Sequence, residues 1–253
     1  MNGSDARLFV NSIEKGMAVL ELFETARQDL SLTDIVARTD LGRSAVQRFV
    51  FTLHRLGYLS RDKASRRYSL GPKVLGLYRG YVGGRSMLQR VRPALAQLGQ
   101  QTHEAAAWVE LLEREIIVID SLASPHFTSV TLAPGMRFEA ISASSGQVLL
   151  AHAPDETVER AWEAASPHAR QRAGVRDPAA YARLLARIRE DGFALTEKAF
   201  DQDSLSISAP VLDLQARAIG AINLSTLRAR FDVDAARAKL VPAVVAAARS
   251  LCP

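Results

Sequence analysis

The first pattern along the chain is an apolar residue every three or four positions. In "NSIEKGMAVLELFETA" (11–26), Ile13, Met17, Leu20 and either Phe23 or Glu24 fall at helical spacing. In "LSLTDIVARTD", Ser31 is followed three residues later by Asp34, the spacing of a capping box with an acid at the third helical position. Leu32, Ile35 and Val36 form the buried side of the short helix it opens. Leu41-Gly42 predicts a tight turn, with Gly42 capping a third helix over roughly 43–56 whose Val46, Phe49, Val50, Leu53 and Leu56 make a broad inner stripe. After Gly57 the period falls to two. "YLSRD" (58–62) and "RRYSLG" (66–71), joined by "KAS", predict a hairpin, so three helices and a wing form a winged helix-turn-helix. "PKVLGLYRGYVG" starts with proline and predicts a linker helix, with the domain break at Gly83-Gly84.

The remainder alternates between the two periods. "MLQRVRPALAQLGQQT" is a helix interrupted or restarted at Pro93. "AAAWVELLEREIIVIDSL" holds two strands around a Glu113-Arg114 turn, and "IIVI" (116–119) is apolar on both faces, as in a central strand. "SVTLAPGMRFEAI" predicts strand and loop, and "SSGQVLLAHA" a short helix; further helices are expected near 156–164 and 178–191. "SLSISAPVLD" and "RAIGAINLST" are strands with a turn at Leu214-Gln215-Ala216, and "DVDAARAKLVPAVVAAARSL" closes as a helix. The expected fold class is α+β around an antiparallel sheet. The expected divisions are 1–71 for the winged domain, 72–84 for the linker helix and 85–253 for the second domain.

Composition narrows the function. With 48% hydrophobic and 23% charged residues the chain suits a globular protein. The longest apolar run, "VPAVVAAA", is too short to cross a bilayer, and the start lacks a signal-peptide pattern. One cysteine, Cys252, allows neither an internal disulfide nor a cysteine metal cluster, so a reducing cytoplasm is expected. The net charge of +5 sits entirely in residues 1–84, which hold 13 basic and 8 acidic residues; the rest holds 19 of each. Within 43–79, nine basic residues face one acid, Asp62. That concentration is the footprint of a polyanion binder, here double-stranded DNA.

The third helix carries the candidate reading residues. Arg43, Ser44, Gln47 and Arg48 occupy the outside of its opening turns, where a recognition helix meets bases and phosphates. Arginine can clamp guanine, glutamine can read adenine, and serine and helix N-terminal amides suit phosphate, which adds Ser31 at the preceding helix start. Lys63, Arg66 and Arg67 in the wing would meet the backbone or minor groove. Phe51 lies off the inner stripe, either as an interface contact or partly buried.

The run "SIEKGMAVLELF…LSLTDIVARTDLGRSAVQRFVFTLHRLGYLSRD…RRYSLGPKVLGL" resembles the N-terminal domain of the IclR family of bacterial transcription regulators. "GMRFEAISASSGQVLLA" and "SISAPVLDLQARAIGAINLS" are similar to that family's effector-binding domain. The resemblance implies a winged helix, a linker helix and a GAF-like sensor domain assembled as homodimers or homotetramers. Ala45 stands where threonine is usual and Gln47 where histidine or tyrosine is common, which bears on the operator read.

Strand alternation independently suggests a ligand site. Ser204, Ser206 and Ser208 share one face, and Asn223 and Ser225 project together. Buried hydroxyls and an amide need partners, which a polar ligand would supply; backbone or water are the alternatives. Ser144, Ser145 and the Gly146 amide open a helix and can cradle a carboxylate. The family resemblance implies contacts at Ala140, Ser144 and Ser145, and at Leu195, Thr196, Ser204, Ser206, Asn223 and Ser225. It points to a small organic acid, aromatic or keto. Arg137 is either a partner for its carboxylate or one half of an exposed salt bridge.

The expected function is thus a ligand-responsive regulator on a palindromic operator, with no cofactor and no membrane partner. Two alternatives stand beside it: a constitutive DNA-binding protein whose second domain only oligomerises, and an enzyme. The enzyme is poorly supported. "SIEK" fits S-x-x-K without its companion motifs, no phosphate-binding loop is present, and the five histidines fall at no metal-ligand spacing. His103 and His126 could still meet in the fold as metal ligands.

Overall fold

The computed structural model describes residues 8–24, 26, 28–197 and 203–253, which form two compact units, Met1–Arg85 and Ser86–Pro253. The first unit is built from α1 (Asn11–Glu21), α2 (Leu32–Ala37), α3 (Arg43–Arg55), β1 (Leu59–Arg61), β2 (Tyr68–Leu70) and α4 (Val74–Gly83). Its core joins Val19, Phe23, Leu30, Ile35, Val46, Val50 and Leu59, with Leu20, Val36, Phe49 and Leu53 packed against it, whereas Ile13, Met17 and Leu56, expected on the inner faces, are exposed. The capping box forms as expected: Ser31 Oγ accepts from the Asp34 amide at 3.1 Å, and an Asp34 carboxylate oxygen accepts from the Ser31 amide at 2.9 Å. Helix α1 ends at Glu21 rather than 26, and Phe23 enters the core from the following turn.

The wing gains a third partner that periodicity could not reveal. Leu30 and Tyr68 exchange backbone hydrogen bonds of 2.9 and 2.8 Å, tying the segment before α2 to β2. Gly71 allows the hairpin to close on the end of α3, because a Cβ there would lie 2.3 Å from the Gly57 carbonyl oxygen.

The second unit contains a six-stranded sheet in the order β5-β4-β3-β8-β7-β6, antiparallel throughout. Its strands are β3 (Ala105–Leu112), β4 (Glu115–Leu122), β5 (Arg137–Glu139), β6 (Ala194–Glu197), β7 (Ser204–Leu212) and β8 (Ala218–Leu227). The apolar run 116–119 lies in β4, an interior strand as expected. Helices α6 (Ser144–Leu150), α7 (Asp155–Glu163), α8 (Pro167–Arg172) and α9 (Pro178–Asp191) contribute, with one sheet face, to a single apolar cluster. The opposite face is covered by α5 (Ser86–Thr102) and the C-terminal helix. That helix runs from α10 (Val233–Ala235) through a π turn (Ala236–Leu240) into α11 (Val241–Arg249). The π turn precedes Pro242, which has no N–H to close the regular ladder.

One expectation is corrected here, and two segments gain detail. Helix α5 is continuous through Pro93, because Pro93 is solvent-exposed while Val91, Ala94, Leu95 and Leu98 bury the other side and hold the helix through the missing bond. In "SVTLAPGMRFEAI" only Arg137–Glu139 is strand, and Val130 and Leu132 are buried from a loop. Helix α8 was not anticipated, although Ser166-Pro167 spells it: Ser166 Oγ accepts from the Ala169 amide and proline takes the first helical position.

Candidate DNA-reading surface and effector site

Helix α3 turns Val46 and Val50 fully inward, and geometry alone then forces the other face out. Arg43, Ser44, Gln47 and Arg48 are all exposed on that face. With Ser31 and Arg66 they line one groove of about 790 Å³, together with Leu32, Phe51, His54, Arg61, Ser65 and Tyr68. Six of the eight candidate residues therefore converge. Lys63 and Arg67 are exposed on the wing but outside the groove lining. Arg67 donates to the Asp29 carbonyl at 2.7 Å and to the Asp34 carboxylate at 3.1 Å, fastening the wing to the start of α2. Arg61, absent from the candidates, lies two residues after the buried Leu59, where strand alternation gives no outward signal, yet it is exposed, with its guanidinium 5.4 Å from the Tyr68 ring centroid.

The one acid of this basic segment is occupied by the wing turn. Asp62 accepts from the Ser65 amide and hydroxyl, each at 2.7 Å, and these bonds hold its carboxyl below the usual carboxylate range. The turn also carries Arg66 at a positive φ of 57°, presenting it beside α3.

In the second unit, strand register assembles the other candidates. Thr196, Ser206 and Ser225 form one row across β6, β7 and β8, and Ser208 and Asn223 form the next. Helix α6 lowers Ser144 onto them. Ser144 Oγ lies 2.9 Å from Ser206 Oγ and 2.8 Å from Ser208 Oγ, and Asn223 Nδ2 donates to Ser206 at 2.7 Å and Ser208 at 3.0 Å. Ser225 Oγ donates to Asn223 Oδ1 at 2.9 Å. All five side chains are buried. The partners that ligand, backbone or water were expected to supply are the cluster's own members.

One hydroxyl stays outside this closed network. Thr196 Oγ1, in the row beside Ser206, is buried without a hydrogen-bond partner. Thr226 Oγ1 is also unpartnered but lies on the opposite sheet face. Ser208 belongs to the cluster, although the family resemblance matches no contact to it. Leu195 pairs with Ile207 and so faces away from the serines, whereas Ser204 shares their face at its end. Ala140, Ser145 and Gly146 are buried where α6 begins. Arg137, on the far edge strand β5, pairs with Glu115 at 3.7 Å.

Among the described residues no three His, Cys, Asp or Glu side chains converge as metal ligands, and no helix is long and apolar enough to cross a membrane.

Residues 12–63 match the IclR helix-turn-helix domain, and residues 79–253 match the family described as bacterial transcriptional regulator IclR C-terminal. The chain is 31% identical over 245 residues to the Pca regulon regulatory protein of Pseudomonas putida, covering 96% of this chain and 84% of that one. An IclR transcriptional regulator from Alicyclobacillus acidocaldarius has the same fold, with a TM-score of 0.83 at 24% identity over 96% and 98% of the two chains. So does an IclR homologue from Microbacterium hydrocarbonoxydans, solved with 4-hydroxybenzoate, at a TM-score of 0.77 and 23% identity over 95% and 97%. The winged helix, the basic groove and the six-stranded antiparallel sheet domain thus have one common explanation, and the chain belongs to the IclR family of bacterial transcriptional regulators.

Proposed function

We propose that this regulator is a cytoplasmic homodimer or homotetramer that binds a roughly palindromic operator through α3 and the wing, and releases or reshapes it when an aromatic carboxylate enters the second unit. The single observation carrying the effector half is the unpartnered Thr196 hydroxyl beside a closed serine–asparagine cluster. A ligand's carboxylate or hydroxyl can take over bonds that Ser144, Ser206 and Ser208 now make to one another, and satisfy Thr196 as well. The start of α6 adds Ser145 and the Gly146 amide, with no side-chain cap competing from Ala143. The aromatic character is suggested by the 4-hydroxybenzoate held by a protein of the same fold.

Assembly is supported by apolar side chains left exposed on α1 and α4: Ile13 and Met17, and Leu75, Leu77, Tyr78 and Tyr81. Helix α4 buries none of its residues within its own unit. A two-fold pair would set two α3 helices about 34 Å apart, in successive major grooves. Effector coupling of this kind typically amounts to about 1–3 kcal/mol.

The test is fluorescence anisotropy on the DNA upstream of the protein's own gene and on scrambled DNA, across a salt series, with 4-hydroxybenzoate titrated into the complex. Preference for the native DNA with affinity falling as salt rises, and a shift on adding the acid, is the expected result. Equal binding to both DNAs overturns operator recognition. No response to any of a panel of aromatic acids favours the constitutive alternative.

Two substitutions separate the halves. Arg48→Ala should weaken operator binding by about 1–3 kcal/mol, the worth of one base-reading arginine, with effector binding unchanged by calorimetry. Asn223→Leu removes an amide donor from among Ser144, Ser206 and Ser208, where the effector's acceptor would be received, and should weaken effector binding roughly tenfold, about the worth of one hydrogen bond, while operator affinity without effector is kept. Loss of both activities in either variant would count against the assigned role.

A further inference from the structure

Phe51 is a large aromatic side chain that the core of its unit does not use. It is 63% exposed, on the outer face of α3, and is absent from the apolar core that Val46 and Val50 enter. It follows Gln47 by four residues and Arg48 by three, so the three side chains are neighbours on the helix surface. Together they line the basic groove with Arg43, Arg61 and Arg66. A phenyl ring among arginines can neither pair with phosphate nor donate to a base edge.

In the major groove the apolar feature a base edge offers is the C5-methyl of thymine, and phenylalanine is among the side chains that contact it. Resting on the reading of α3 as the recognition helix, we propose that Phe51 is a specificity residue that contacts a thymine methyl in each operator half-site. One helical turn separates it from Gln47, about 6 Å along the axis at 1.5 Å per residue. The thymine therefore lies within one to two base pairs of the base that Gln47 or Arg48 reads, at about 3.4 Å per pair. This assigns an apolar reader to a helix whose other outward groups are polar or charged.

Single thymines in the protected region of the native upstream DNA are replaced one at a time by deoxyuridine. The change deletes the methyl group and leaves pairing with adenine intact. Affinities of the full chain and of Phe51→Ala are then measured by anisotropy. The expected result is one thymine per half-site whose replacement weakens wild-type binding about fourfold, the worth of burying one methyl. Phe51→Ala should bind unmodified DNA more weakly and show no further loss at that thymine, and Phe51→Leu should restore the loss. An unchanged deoxyuridine penalty in Phe51→Ala overturns the contact, as does unchanged affinity of Phe51→Ala for unmodified DNA. If the wild type protects no specific region, α3 is not a recognition helix and the parent reading fails with it.

Discussion

Replacing Glu104 with alanine is expected to lower the unfolding free energy of the second unit by about 3–5 kcal/mol, the cost of breaking one partner out of a buried pair. Its side chain is fully buried, and both carboxylate oxygens are taken by Arg230: Nε donates at 2.5 Å and Nη2 at 2.6 Å. The carboxylate's hydrogen bonds raise the Arg230 guanidinium above its ordinary pKa, so the arginine keeps its charge at any working pH. Arg230 Nη1 also donates to the Thr128 carbonyl at 2.9 Å. One pair therefore ties the start of β3, the turn after β8 and the loop carrying Thr128. Alanine would leave a partly buried guanidinium without its carboxylate partner. Denaturant titration of Glu104→Ala should show an earlier midpoint for the second unit and an unchanged transition for the winged unit. Glu104→Gln, which keeps one acceptor oxygen, should fall between. A midpoint within about 0.5 kcal/mol of wild type, the range of ordinary surface changes, would refute the pair as a structural anchor.

Gly146→Ala should couple stability to ligand response. A Cβ at Gly146 would lie 2.1 Å from the Ala140 carbonyl oxygen and 2.4 Å from its Cα, both backbone atoms in a fully buried segment. Neither can swing aside as a side-chain tip would. Either α6 lifts from the Ala140 segment or that segment moves. Overpacking of this kind costs about 1–3 kcal/mol, and backbone against backbone places it at the upper end. The functional loss should be larger, because Ser144 sits two residues away and reaches Ser206 and Ser208 at under 3 Å. Displacing α6 by an ångström would open the cluster. The expected outcome is a lowered melting temperature for the second unit and loss of the anisotropy response to effector, with operator binding retained. A normal effector titration in a folded Gly146→Ala protein would separate the site from α6.

The parts of the molecule differ in how far they could be read from residues alone. In the first unit nearly everything is local. Ser31 and Asp34 announce a capping box three residues apart, the stripe of α3 repeats every three or four residues, and Gly57, at a φ of 84°, ends that helix where expected. The basic residues of the groove come from a short span, so charge counting found most of them. Arg67 shows the limit. Its charge is visible in the sequence, but its bond to the Asp29 carbonyl, 38 residues away, depends on how the wing folds back.

In the second unit alternation placed Ser204, Ser206 and Ser208 on one face and Asn223 beside Ser225, because a strand's period of two is an intrinsic property of its backbone. What that face meets is another matter. Ser144 reaches Ser206 across 62 residues, Glu104 reaches Arg230 across 126, and Trp108 packs where a Cβ on Gly220 would come within 2.1 Å of its ring. Leu195 likewise could be put on a strand, yet its turning away from the serines follows from pairing with Ile207.

The sequence by itself thus determined the helices and hairpin of the winged unit, the sign and position of its charge, and which residues of each strand share a face. These follow from backbone periods, caps and composition, whose causes lie within a few residues. Only the tertiary structure decided that the serine–asparagine cluster closes on itself, that Thr196 is left without a partner, that Arg67 fastens the wing, and that Phe51 lines one groove with Arg43, Arg61 and Arg66. Those outcomes depend on register and packing between distant segments, and no short stretch of chain contains the steric and hydrogen-bonding constraints that select one pairing over the others.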